Sequence, residues 1–171
     1  MHKISKGLYM GSVGIGLGIA DVLVITGYVG IRTGFPDGAT NLFYLAIVPL
    51  VYGWVFMTVL LYKSWDAIQD VHARTTPGKA IGFLFIPIFD FYWVFPAIWG
   101  LAKDFNSYLR RKSIYTPVLP ERLFLTYCIL SFAGWIPNVG LVVVVVNYII
   151  GLIMVNALCD GINALAAKES R

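Results

Sequence analysis

Two apolar runs decide what this chain can become. Residues 7–31 carry a single charge, Asp21, and residues 41–62 carry none. A helix needs about 20 apolar residues to cross the ~30 Å hydrocarbon core of a bilayer, and both runs are long enough. Backbone groups in hydrocarbon must bond within their own segment, so such runs are helices. Composition carries the argument to the rest of the chain. Hydrophobic residues make up 58% of the 171 and charged residues 13%, with a mean hydropathy of +0.76. A soluble domain averages about 25% charged. A water-soluble fold of this length has too little interior to hide so much apolar surface. The expectation is an all-α integral membrane protein, one membrane domain over residues 1–171. Lys3 and Lys6 precede the first run as in a signal peptide, but no A-x-A cleavage site follows, and the run is expected to stay in the mature protein.

Turn residues divide the remainder. Gly34, Pro36, Asp37 and Gly38 punctuate the link after the first run. A polar segment, 63–79, follows the second run, with Trp65, Ile68 and His72 at helical spacing before Pro77-Gly78. An aromatic run, 80–101, leads into a charged segment, 102–120. Two last apolar stretches, 121–136 and 139–160, are parted by a turn at "WIPNVG", Trp135 to Gly140. The predicted spans are therefore about four: 7–31, 41–62, 121–136 and 139–160.

Charge decides how 80–101 is threaded. Lysine and arginine cluster before the first run, in 63–79, in 102–122 and at the tail, while Arg32 stands apart. A single crossing by 80–101 would put the most basic loop outside, against the positive-inside rule. A re-entrant hairpin entering and leaving on one side makes 63–79, 102–120 and both termini cytoplasmic. Pro87 removes a backbone donor near the middle and favours such a turn. The alternative is an interfacial segment lying flat with Tyr92, Trp93 and Trp99 at headgroup level. In the hairpin, Asp90 falls near the tip and must face protein or water.

The block "LLYKSWDAIQD" through "ARTTPGKAIGFLFIPIFDFYWVFPAIWGLAKDFN", Leu60 to Asn106, resembles a widespread family of small bacterial polytopic membrane proteins without assigned activity. Some of these are fused to GYF-like or other short cytoplasmic domains. The shared pattern is Pro-Gly-Lys-Ala, then Phe-Ile-Pro and an aromatic stretch ending in Gly-Leu-Ala-Lys-Asp. The family has Asn at the position of Asp90, so no family-wide charge is implied there. The resemblance implies a multi-pass protein of the bacterial inner membrane. "TTPGKAIG" is also similar to a stretch of RDD-type membrane proteins, some of which are proposed cation/proton antiporters.

Candidate site residues follow from the cost of polarity at depth. Gly11, Gly14, Gly18 and Asp21 share one helical face, where small residues admit a close neighbour. An ionisable group there is a functional hypothesis, so Asp21 and Asp90 are candidates for an ion or proton path, against a role in packing alone. Asn147 and Asn156 are expected to hydrogen-bond across helices. Arg110, Arg111 and Lys112 are placed to touch anionic lipid headgroups. Asp66 and Asp70 lie one turn apart with His72 off their face, so no metal site is expected, nor any cofactor. No nucleophile–base arrangement points to an enzyme. Cys128 and Cys159 read as buried thiols. The expected partners are the lipid bilayer and a second copy or another membrane protein, not nucleic acid. The function is then that of a structural or accessory subunit, or an oligomeric assembly; the alternative is a cation or proton channel or transporter.

Overall fold

The structure, a computed structural model, describes residues 3–134, 136 and 139–169. Helices and turns account for these residues, and no strand occurs among them. In chain order the helices are α1 (Lys6–Arg32), α2 (Pro36–Asp66), α3 (Pro77–Gly82), α4 (Phe89–Val94), α5 (Gly100–Arg111), α6 (Glu121–Ala133) and α7 (Gly140–Glu169). Three of them, α1, α2 and α7, are long and apolar enough to cross a membrane.

The Ser5 hydroxyl starts α1 by accepting the Leu8 N–H at 3.3 Å. Gly34, at φ 89°, makes the reversal, and Pro36 opens α2. The two helices cross where each has lost its side chain. A Cβ on Gly16 would lie 2.7 Å from the Gly53 backbone, and one on Gly53 would lie 2.8 Å from the Leu17 nitrogen. Such approach is open to glycine alone. Antiparallel to α1 runs α7, locked at one end by Asn163. Its Oδ1 accepts the Ile4 N–H at 2.8 Å and its Nδ2 donates to the Ile4 carbonyl at 3.1 Å. Lys6 pairs with Asp160 at 2.8 Å beside them.

That end of the bundle gathers the charge. Arg74 grips Asp104 at 2.8 Å, and Arg111 grips Asp70 at 2.8 Å. Lys63 lies over the Tyr9 ring and Lys168 over Tyr115. Of the described lysines and arginines, Arg32 alone belongs to the opposite end. The core sits here too, with Trp65, Leu101, Phe105, Phe124, Leu158 and Ile162 buried together. Farther away the long helices turn apolar side chains outward: Val22, Val48 and Val142 are each more than 60% exposed.

Residues 80–101 leave the charged end and return to it. Thr76 caps α3, with Pro77 in its first turn. After a 3₁₀ turn, Phe83–Phe85, the chain reverses at 86–88, where Ile88 takes φ 71°. The Trp93 indole donates to the Ala80 carbonyl at 3.0 Å and ties the two arms. Phe85 meets Trp54 of α2 edge-on at 4.8 Å, roughly 18 Å before the end of α2 at 1.5 Å per residue. The returning arm does not stop at residue 101. From α4 it passes through a π-helical turn, Phe95–Trp99, straight into α5. Pro96 explains the turn: it has no N–H to give Tyr92, its ring crowds that carbonyl, and a widened turn accommodates both. Inside the expected charged link lies the amphipathic α5, closed by Ser113 at φ 51° and by the Ile114 N–H on the Leu109 carbonyl.

Two expectations are corrected. Among the described residues of 121–136 the helix is the 13-residue α6, about 20 Å long and too short to cross unaided. The helix begins at Glu121, directly after Pro120, and ends at Ala133, short of residue 136. Among the described residues three helices have spanning length. The polar segment 63–79 also leaves its helix early: α2 ends at Asp66, and His72 is exposed rather than continuing the Trp65–Ile68 face. The "WIPNVG" turn rests partly on Trp135, Pro137 and Asn138, which lie outside the described residues.

Candidate functional site

Two cavities meet at one wall. The larger, about 550 Å³, lies between α2, the tip of the hairpin and α6; Trp54, Thr58, Asp90, Phe91, Ser131 and Phe132 border it. The smaller, about 160 Å³, lies between α1, α6 and α7 and is bordered by Asp21, Asn147 and Tyr148. Tyr127 of α6 borders both. One turn along, the Ser131 hydroxyl donates to the Tyr127 carbonyl at 2.8 Å and accepts from Asn147 Nδ2 at 3.3 Å. The polar groups of α6 thus form a strip between a cavity holding Asp90 and a cavity holding Asp21.

Asp21 comes from α1, one helical face with Gly14 and Gly18. Tyr148 of α7 lies against that face, its hydroxyl donating to the Gly14 carbonyl at 2.9 Å. A Cβ on Gly18 would come within 2.9 Å of the same hydroxyl, so the glycine makes room for the phenol. Gly11 differs: a Cβ there would meet nothing within 4 Å. Among the described residues the Asp21 carboxylate has no hydrogen-bond or ion-pair partner. The neighbouring Asn147 Oδ1 is buried and likewise unpartnered among them. Asp21 is half-buried, so of these two groups only the Asn147 oxygen is closed off without a donor.

Asp90 comes from the first turn of α4. One of its oxygens accepts the Phe91 N–H at 2.9 Å, a local cap of the returning arm. No basic side chain pairs with it among the described residues, and none borders its cavity. Structure places Asp21 and Asp90 at two cavities that share Tyr127, a relation that spacing along the chain does not reveal. Tyr127, Ser131 and Tyr148 were not singled out in the sequence. Their available signal was the i, i+4 pairing of Tyr127 with Ser131 on an apolar helix.

The other candidates divide. Asn147 does bond across helices, to Ser131 of α6. Asn156 does not: it reaches Asp160, one turn on within α7, at 3.4 Å, which corrects the expectation for that residue. Of the basic run, Arg111 is engaged by Asp70, Arg110 bonds Ser107 at 2.9 Å, and Lys112 is exposed. Both cysteines are buried free thiols. No group of three or more His, Cys, Asp or Glu occurs among the described residues.

The chain matches no protein-family model, no curated protein and no solved structure.

Proposed function

We propose that this is a small multi-pass protein of the bacterial cytoplasmic membrane in which Asp21 and Asp90 hold or relay protons or monovalent cations. The three apolar helices and the outward-turned valines support insertion, because such surface in water forfeits roughly 25 cal/mol per Å². Clustering of basic residues at one end supports a cytoplasmic location for both termini, with 80–101 as a re-entrant hairpin. The resemblance of Leu60 to Asn106 supports the bacterial membrane. The observation that carries the ionic reading is the shared border: Tyr127 lines both cavities, and each is also lined by a carboxylate without a basic partner among the described residues. Charged residues at depth cost about 2.5–3.5 kcal/mol even on permissive scales, and two of them on one polar strip argue for use.

Proteoliposomes loaded with a pH-sensitive dye test this reading. A proton gradient or an imposed potential should collapse faster with the protein than without it. Asp21→Asn and Asp90→Asn should each slow the collapse severalfold. Flux equal to that of empty vesicles overturns the reading.

One observation favours a second reading, that of a structural or accessory subunit. Beside the contact with Tyr148, α1 carries a shallow apolar groove of about 500 Å³ bordered by Gly14, Ile15, Gly18 and Val22. A second copy or another membrane helix fits such a groove. Particle mass in mild detergent separates the cases, since a monomer without a co-purifying protein sinks the assembly reading.

A further inference from the structure

The larger cavity combines volume, aromatic rings and a carboxylate without a basic partner among the described residues. About 550 Å³ is within the range that accepts a drug-sized molecule. Its wall is mainly apolar, with Trp54, Phe91 and Phe132 contributing rings; Phe91 and Phe132 stack at 5.3 Å, 23° from parallel. Asp90 has one oxygen on the Phe91 N–H, while the other has no partner among the described residues. Lysine, arginine and histidine do not appear in the lining.

We infer that this cavity binds a lipophilic monovalent organic cation, a quaternary ammonium or phosphonium. The chemistry excludes the competitors in turn. An anion would meet Asp90 without a basic residue to offset it. A neutral apolar molecule would leave the carboxylate desolvated and unpaired. A small inorganic cation would surrender its hydration shell to a cavity offering one carboxylate and the hydroxyls of Thr58, Tyr127 and Ser131. A cation shielded by alkyl or aryl groups has little hydration to lose, carries apolar surface that suits the wall, and is attracted to aromatic rings as well as to Asp90. One carboxylate balances one charge. The inference deepens the ionic reading by naming a ligand class, and rests on it insofar as both require Asp90 to be charged.

Tetraphenylphosphonium and tetraphenylborate test it, because they share one shape and differ in sign. Binding is measured by calorimetry on the full chain in detergent, with protein-free micelles subtracted. The phosphonium should bind saturably at one site per chain, and the borate should show no saturable binding. Asp90→Asn should weaken the phosphonium by about tenfold or more, Asp90→Glu should retain it, and Asp66→Asn, away from the cavity, should leave it unchanged. If Asp90→Asn does not fold, Phe132→Leu supplies the second arm, weakening the phosphonium through the lost ring. Equal binding of both ions, or undiminished affinity in Asp90→Asn, overturns the inference. Carboxylate-dependent proton flux without phosphonium binding sinks the ligand class alone. Asp90-dependent phosphonium binding without any flux sinks transport and keeps the site.

Discussion

The indole N–H of Trp65 donates to the carbonyl oxygen of Ala97 at 3.0 Å. This bond joins the end of α2 to the π-helical turn after Pro96, in a place where Trp65 is fully buried. Next to it the Cys128 thiol points at the Val94 carbonyl at 3.7 Å. The irregular turn is thus held from two sides by donors from other helices. Trp65→Phe keeps most of the ring and removes the donor, and should cost about 1–3 kcal/mol. A thermal melt in detergent reads the loss, and an unchanged midpoint would show the bond to be dispensable.

Glycine substitutions should separate into two groups. Gly16→Ala and Gly53→Ala push a methyl into opposing backbone and should destabilise by a few kcal/mol, enough to lower folded yield. Gly11→Ala meets nothing within 4 Å and should be neutral or gain up to about 1 kcal/mol of helix propensity. Equal behaviour of the three in a melt would refute the crossing at Gly16 and Gly53.

Strain at the hairpin tip predicts a gain. Ile88 is β-branched, adopts φ 71° and ψ −44°, and is 83% exposed. Ile88→Gly relieves the backbone and forfeits little packing, so it should stabilise by about 1 kcal/mol. A lower melting temperature for Ile88→Gly would count against that backbone.

Acid should loosen the charged end. The hydrogen bond from Arg111 holds the Asp70 carboxyl below its usual range, and the His72 N–H adds to it at 2.8 Å. With the folded value below the unfolded one of about 3.9, protons bind the unfolded chain more readily. The contribution is therefore complete above that unfolded value and lost as pH falls through the folded one. Asp70→Asn should melt earlier than the wild type near neutral pH, and the two curves should converge in acid. A gap that persists at the lowest pH would assign the difference to something other than this ionisation.

Topology is open to labelling. Cys128 and Cys159 are buried, so background is low. Lys112→Cys should react with an impermeant maleimide only after the cells are opened, and Thr33→Cys should react in intact cells. Labelling of Lys112→Cys from outside would overturn the same-side hairpin.

Hydropathy made α1, α2 and α7 legible, because a run of about 20 apolar residues has few other solutions. Helical period made Gly14, Gly18 and Asp21 legible as one face, and that face does meet α7. Neither signal reaches the π-helical turn: Pro96 announces an interruption, not whether the helix resumes. The length of α6 was hidden because apolar residues continue past Gly134 after the helix has stopped. Gly16 and Gly53 could not be told from the other glycines among 17, since what distinguishes them is the partner each faces. The Tyr127–Ser131 wall depends on how α6 lies against α7, a tertiary fact with no counterpart in local spacing.

The bonds from Ile4 and Lys6 to Asn163 and Asp160 set an order of events during synthesis. A ribosome releases the start of α1 long before the end of α7, so the opening turn must wait without its partners while about 150 residues are made and inserted. A chain halted before residue 160 lacks both Asp160 and Asn163, which leaves Ile4 and Lys6 without those partners. The contacts of Ile4 and Lys6 with α7 can therefore close only after residues 160–163 have been made.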